Sequence, residues 1–274
     1  MNVTVKFLGA ARSVTGSRYL LTVGKFRMLF DCGLFQGLKE LRVRNWDEFP
    51  VDPSTLDAIV ISHAHIDHSG YLPKLMREGF GGQIYCTPPT AELMKIMLLD
   101  SAKLQEEEAA FAKRKGYSRH NDPQPLYTSA DAELVFPMIR TVGYGERLSI
   151  HPSVSICYHD AGHLLGSAIT EVFIKGESQT KKIIFSGDLG RQNDAMLRPP
   201  KRLTEADVLF IESTYGVKDN PATDPLLDLE RVVKTARERN GVLLIPAFAV
   251  GRTQTLLYYL HNLIEAGRIP DIPV

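Results

Sequence analysis

The stretch Ser62-His63-Ala64-His65-Ile66-Asp67-His68-Ser69-Gly70 constrains this chain more than any other. It gathers three of the chain's eight histidines around one aspartate. The apolar, β-branched run Leu56 to Ile61 precedes it and predicts a buried strand. Ser69 to Met76 predicts the start of a helix. The histidines therefore leave the C-terminal end of a strand, where open α/β layers place ligand sites. Alternate residues of an extended loop point the same way, so His63 and His65 can hold one ion. Asp67 and His68 lie past the bend and can face a second. Imidazoles this close repel one another when protonated and are awkward to bury when neutral. A shared cation removes both difficulties, and imidazole nitrogen and carboxylate oxygen are ligands that zinc takes.

Three more strand ends carry the same kind of residue. Asp31 follows the run Phe26 to Phe30 and reads either as a turn former or as a carboxylate that orients a ligating histidine. Val154 to His159 leads into Asp160-Ala161-Gly162-His163-Leu164-Leu165-Gly166-Ser167. Two glycines bracket His163 there, so the backbone can turn tightly and present the imidazole. Lys182 to Ser186 runs into Gly187-Asp188-Leu189-Gly190-Arg191. Together these ends supply His63, His65, Asp67, His68, His163 and Asp188, an inventory for two metal ions. A carboxylate can bridge two cations through its two oxygens, so Asp188 is the bridging candidate.

The rest of the chain reads as alternating strands and helices. Strands are expected from Val3 to Phe7, then at Arg18 to Val23 and Phe26 to Phe30, split by a Gly24-Lys25 hairpin turn. Gln83 to Thr87 is a short strand. Pro88 to about Lys115 is a long helix with an apolar stripe at Leu93, Ile96, Met97, Leu104 and Phe111. Its Glu106-Glu107-Glu108 run reads as a solvated face. Gly116 to Gln124 is loop-like, and Ala130 to Ile139 a short helix ended or bent by Pro137. Strands resume at Glu146 to Ile150, Val154 to His159, Ala168 to Ile174, Lys181 to Ser186 and Asp207 to Glu212. Asn220 to Pro225 is a linker and helix cap. A helix from Leu226 to Arg239, a strand from Val242 to Pro246 and a helix from Thr253 to Ala266 follow.

Lys+Arg and Asp+Glu both number 32, a balance that argues against a generic polyanion binder with a strong basic field. Cys32, Cys86 and Cys157 are scattered and form no zinc-knuckle or redox spacing, which fits a reducing cytoplasm. No signal-peptide pattern and no membrane-length apolar run is present, and no Walker loop or dinucleotide fingerprint. Arg12, in the Gly9 to Gly16 loop, and Arg252, at a helix start, are the arginines that could meet a phosphate, and each reads equally as structural. His261 sits at an ordinary helix position.

The order Asp31, His63-x-His65-x-Asp67-His68, His163, Asp188 resembles the metallo-β-lactamase fold. Leu8 to Ser17, Ala161 to Ser167, Gly187 to Arg191, Ile211-Glu212-Ser213-Thr214-Tyr215-Gly216 and Pro246 to Gln254 are more narrowly similar to the β-CASP nucleases, the group of ribonuclease J and the cleavage and polyadenylation nuclease. The resemblance implies an α/β architecture: an incomplete αββα metallo-β-lactamase sandwich over residues 1–216, then the first part of a β-CASP α/β domain over 217–274. It implies that His63, His65 and His163 hold a first zinc and Asp67 and His68 a second, with Asp188 bridging. It implies that Asp67 serves as general base, that Glu212 works near the leaving group, and that zinc-activated hydroxide cleaves phosphodiester bonds in RNA.

Two later histidines of the family, one a ligand of the second zinc, find no counterpart, so the resemblance implies C-terminal truncation. The expectation is a filled first metal site, a weakened second one, and poor RNA cleavage by this chain alone. DNA is the alternative substrate, a homodimer is compatible with the sequence, and no membrane is expected. The alternative functions are another metallo-β-lactamase-fold hydrolase, or a catalytically weak RNA-binding chain.

Overall fold

A computed structural model describes residues 2–116, 122–177, 179–218 and 223–273. Parts of the expected 116–124 loop and 220–225 linker lie outside the described residues. The chain divides into two compact units, one of Met1–Gln192 with Arg198–Glu212, the other of Asn193–Leu197 with Ser213–Val274.

In the first unit, β1 (Val3–Phe7), β2 (Tyr19–Val23) and β3 (Phe26–Phe30) form an antiparallel ladder. The β2–β3 turn is Gly24-Lys25, and Gly24 takes φ +62°, which a side chain would resist. Next come α1 (Lys39–Val43), β4 (Ala58–Val60), α2 (Ile66–Ser69), α3 (Leu72–Arg77), β5 (Gln83–Cys86), α4 (Pro88–Lys115), α5 (Ser129–Glu133) and β6 (Ile139–Thr141). Strands β3 to β6 pair in parallel, giving a six-stranded sheet in sequence order. The second sheet runs β11-β10-β9-β8-β7, from β7 (Arg147–His151), β8 (Val154–Asp160), β9 (Ala168–Lys175), β10 (Thr180–Phe185) and β11 (Val208–Phe210). Its pairs are antiparallel except β10 with β11.

The two sheets share one core. Leu21, Met28, Phe30 and Val60 meet Ile156, Tyr158, Val172 and Phe185 there. Phe30 and Phe185 stack at 4.3 Å between centroids, a contact worth about 0.5–1.5 kcal/mol beyond burial. The Tyr158 hydroxyl, fully buried, donates to the Tyr85 carbonyl at 2.9 Å and ties the layers together. On the other face of the six-stranded sheet, Leu29, Ile59 and Ile84 pack under Leu72, Leu75, Met94, Leu98 and Ala132 of α3, α4 and α5.

Four expectations are corrected. The chain turns helical at Ile66, earlier than Ser69, because His65 already sits at the N-cap of α2. Helix α4 buries Thr90, Ala91, Met94, Leu98, Ala102 and Ala112, while Ile96, Leu104 and Phe111 are exposed. Leu93 and Met97 of the expected stripe do pack, half-buried, against the core, so the seated face is offset from that stripe towards Met94, Leu98 and Ala102. Ala130 to Ile139 is not one helix: α5 ends at Glu133, a 3-10 turn spans Phe136–Met138, and Ile139–Thr141 joins β5 as an edge strand. Val242 to Pro246 forms no strand, since among the described residues it has no ladder partner; Leu243 alone packs on the unit's core, while Val242, Leu244 and Ile245 stand in solvent.

In the second unit, Asp224 accepts the Leu226 N–H and Pro225 opens α6 (Pro225–Glu238). Asn240, at φ +50°, stops that helix, and α7 (Arg252–Glu265) follows. Val233, Leu260, Leu263 and Ile269 form the unit's core, and the Arg268 guanidinium donates to Glu230 at 3.0 Å.

Candidate metal centre

Five strands of the first unit end at the residues singled out in the sequence. Asp31 follows β3, His63 and His65 follow β4, His163 follows β8, Asp188 follows β10 and Glu212 follows β11. Asp67 and His68 occupy the single turn of α2. All five are C-terminal strand ends, so the carbonyl edges of the two sheets converge on one place.

The junctions are held by backbone contacts that exclude side chains. The loop after β3 is stitched to α2: Cys32 N–H donates to the His68 carbonyl at 2.7 Å, and Leu34 N–H to the Ile66 carbonyl at 2.9 Å. A Cβ on Gly33 would lie 1.5 Å from the Asp67 carbonyl oxygen. The His163 loop is pinned likewise: Gly190 N–H donates to the Ala161 carbonyl at 2.8 Å, and a Cβ on Gly190 would fall 1.6 Å from the Gly162 oxygen. Ala168 N–H donates to the Ser62 carbonyl at 2.8 Å and joins this loop to the histidine loop.

His63 is fully buried. Its Nε2 lies 3.1 Å from His65 Nδ1, which in turn lies 3.3 Å from His163 Nε2. Asp188 Oδ2 is 3.6 Å from His163 Nε2 and 4.0 Å from His63 Nε2. One ligand atom from each of His63, His65, His163 and Asp188 thus lies within 4.8 Å of all the others. The other oxygen of Asp188, Oδ1, stands 3.3 Å from His68 Nε2, and Asp67 Oδ2 is 3.8 Å from that same nitrogen. Asp188 therefore faces two ligand groups, one through each oxygen.

Asp31 anchors the second group from behind. It is fully buried, sits at φ +55°, and receives the Ser62 N–H at 2.8 Å and the Ser62 and Ser17 hydroxyls at 3.0 and 3.1 Å. His68 Nδ1 is 2.7 Å from its Oδ2. The Ser62 hydroxyl is also 3.0 Å from His63 Nδ1, so one serine links the rear nitrogen of His63 to Asp31. Rear contacts of this kind fix which ring nitrogen faces forward. Ser62 and Ser17 were not foreseen from sequence; a serine has no spacing signature, and only contact reveals its role.

The electrostatics follow from burial and crowding. Burial, then the neighbouring imidazoles, hold His63 well below the ordinary histidine value and lower His65 to about 4. Burial also lowers His163, against the pull of Asp188. His68 goes the other way: burial opposes its charge, but the carboxylates of Asp31 and Asp188 outweigh it and raise it well above the ordinary value. Burial would raise Asp188, yet its hydrogen bond with His68 and the surrounding histidines bring it down to about 2. Burial raises Asp67. Three neutral rings presenting nitrogen lone pairs to one point beside an ionised carboxylate are short of positive charge, and a divalent cation fits that donor set.

Glu212 stands at the rim, accepting the Leu189 N–H at 3.4 Å, and its charge favours protonation of His163. Arg12, Arg252 and His261 are exposed.

A metallo-beta-lactamase superfamily domain matches residues 20–209. The chain belongs to this superfamily. It is 36% identical over 267 residues to a protein named ribonuclease TTHA0252 from Thermus thermophilus, covering 97% of this chain and 56% of that one. It is 34% identical to a transcription termination factor FttA of Methanocaldococcus jannaschii, over 97% of this chain and 40% of that one. An RNase J-like protein of the same organism is 31% identical over 99% of this chain and 58% of its own length. The chain thus spans about half the length of these relatives. The α/β architecture and the divalent-metal character of the donor set agree with the superfamily.

Proposed function

We propose that this chain hydrolyses phosphodiester bonds in RNA with zinc as its cofactor. The observation that carries the reading is the convergence of His63, His65, His163 and Asp188 within 4.8 Å. The names of the similar ribonucleases support RNA over DNA as substrate. The segments around Glu212 and Pro246 support a place among β-CASP nucleases, with residues 1–216 as the metallo-β-lactamase portion and 217–274 in the β-CASP portion. Three free, buried thiols support a reducing, cytoplasmic setting. No helix among the described residues is long and apolar enough to cross a membrane. The reading needs a single chain, and a homodimer is no part of it.

In this reading His63, His65, His163 and Asp188 would hold one ion, and Asp67 and His68, together with Asp188, would hold a second. Bound there, zinc supplies Lewis acidity that acidifies water and neutralises the charge of the scissile phosphate. The chain's own groups handle position and protons. Asp31 and Ser62 lock the rings of His68 and His63, so Nε2 of each points forward. Asp67, whose proton affinity burial raises, takes the proton of the attacking water. Glu212, at the rim beside Leu189, is the carboxylate assigned to work near the departing oxygen.

The test is cleavage of a labelled RNA by the chain supplied with zinc, beside a generic phosphodiester. The expected result is slow, chelator-sensitive RNA cleavage that disappears in His63→Ala and Asp188→Ala. Cleavage that survives both substitutions, or a preference for the generic ester, would overturn the reading.

A further inference from the structure

A second set of metal-ligating side chains lies outside that centre. Cys157 and His159 are two residues apart on β8, so they share a face, and Glu171 of β9 stands directly opposite Cys157 in the ladder. That face is turned away from the core between the sheets, into which Ile156, Tyr158 and Val172 point. Cys157 and Glu171 are nevertheless buried, at 6% and 8% exposure. One ligand atom from each of the three lies within 4.8 Å of the other two.

We infer that Cys157, His159 and Glu171 form a second, independent site for a thiophilic divalent cation, zinc by its chemistry, that clamps β8 to β9.

An ion cluster without metal accounts for only part of what is there. His159 Nε2 is 2.8 Å from Glu171 Oε2, and the Lys182 ammonium is 3.2 Å from Oε1. The thiol of Cys157 has no share in that pairing. Its contacts are weak backbone ones, 3.9 Å to the carbonyl of Tyr158 and one from the Gly145 N–H, and neither meets the side chains of the pair. Burial pushes the thiol proton affinity up, and the carboxylate of Glu171 adds to it, so the sulfur stays protonated unless a cation compensates it. A bound cation would take the thiolate, the imidazole lone pair and Oε2, leaving Oε1 with Lys182. The thiol proton would go to solvent, and the ring proton of His159 would move to its other nitrogen. Thiolate, imidazole and carboxylate together select zinc over magnesium, calcium or manganese.

The location gives the site its role. The loop between β8 and β9 carries His163. A cation joining Cys157 and His159 to Glu171 ties the two strands together at the base of that loop.

Cobalt(II) in place of zinc gives the decisive readout, because a thiolate-to-cobalt charge-transfer band appears only when sulfur ligates. The first centre contains no sulfur. The expected result is such a band in the cobalt-loaded wild-type chain, retained in Asp188→Asn and lost in Cys157→Ser, with one equivalent less zinc in Cys157→Ser by elemental analysis. A wild-type chain without the band overturns the inference, with no variant needed. So does a band that persists in Cys157→Ser, or a zinc content that this substitution leaves unchanged.

Discussion

Asp31 Oδ2 lies 2.7 Å from Nδ1 of His68, directly behind the ring whose other nitrogen faces Asp188. The same carboxylate receives Ser17 and Ser62, so one buried group serves three donors besides the imidazole. Removing it leaves those donors without their acceptor and a buried imidazole without its counter-charge. Asp31→Ala is expected to cost about 3–5 kcal/mol of folding stability in urea unfolding of the metal-free chain. It should also weaken zinc binding about 10–100-fold by titration calorimetry. Asp31→Asn, which tolerates the positive φ, should lose less stability but still bind zinc more weakly. Wild-type zinc affinity in both variants would show that the rear contact does not orient the ring.

Asp188 presents Oδ1 to His68 and Oδ2 to His163, so it serves both ligand groups. Asp188→Asn keeps the shape and removes the charge. It should lower zinc content and cut RNA cleavage by about 100-fold or more. A variant that loses activity yet keeps the zinc content and affinity of wild type would place the role of Asp188 elsewhere.

Gly190 allows the His163 loop to close against the segment after β10. A methyl group there would meet the Gly162 oxygen at 1.6 Å, and backbone cannot swing aside as a flexible side chain can. Gly190→Ala should destabilise the chain by more than about 3 kcal/mol and reduce metal binding together with it. Gly79 is the control: nothing lies within 4 Å of a Cβ there, so Gly79→Ala pays only for its φ of +104° and should leave zinc binding unchanged. Unaltered stability in Gly190→Ala would mean that the loop is looser than its contacts indicate.

The parts of this site that sequence makes legible are those with a repeating local form. An apolar strand followed by His, Asp or Gly-flanked His recurs before Asp31, His63, His163 and Asp188, and the strands are where the hydrophobic runs place them. Less legible is whatever depends on contact. Ser62 links His63 to Asp31 only because two strand ends meet. Glu106, in the run read as solvated, caps α5 by accepting the Ser129 N–H at 2.7 Å, a partner 23 residues away. Ile96 and Leu104 look like core and stand in solvent because α4 seats the neighbouring face, through Met94, Leu98 and Ala102. Val242 to Pro246 has a strand's composition, and composition supplies no partner strand.

Acid should destabilise the metal-free chain through its buried histidines. His65 falls from an ordinary 6.5 to about 4, and His63 and His163 are also depressed, each chiefly by burial. For such groups the unfolded chain takes protons first, so their contribution is complete above 6.5 and is lost as pH falls towards the folded values. His68 is raised, so its contribution is present below 6.5 and is lost as pH rises through its folded value. Three depressed rings outweigh one raised ring on the acid side. Unfolding free energy should therefore fall between pH 6.5 and about 4, by up to about 1.4 kcal/mol per pH unit for each proton taken up. Asp188, lowered to about 2, extends the loss below 3.8. A flat profile from urea unfolding across this range would contradict the burial of neutral imidazoles.

The convergence of strand ends on a cation is tested most directly by anomalous scattering at the zinc edge from crystals of the zinc-loaded chain. The expected map has a strong peak enclosed by His63, His65, His163 and Asp188. A map without zinc at that position, while those four side chains are ordered, would contradict it.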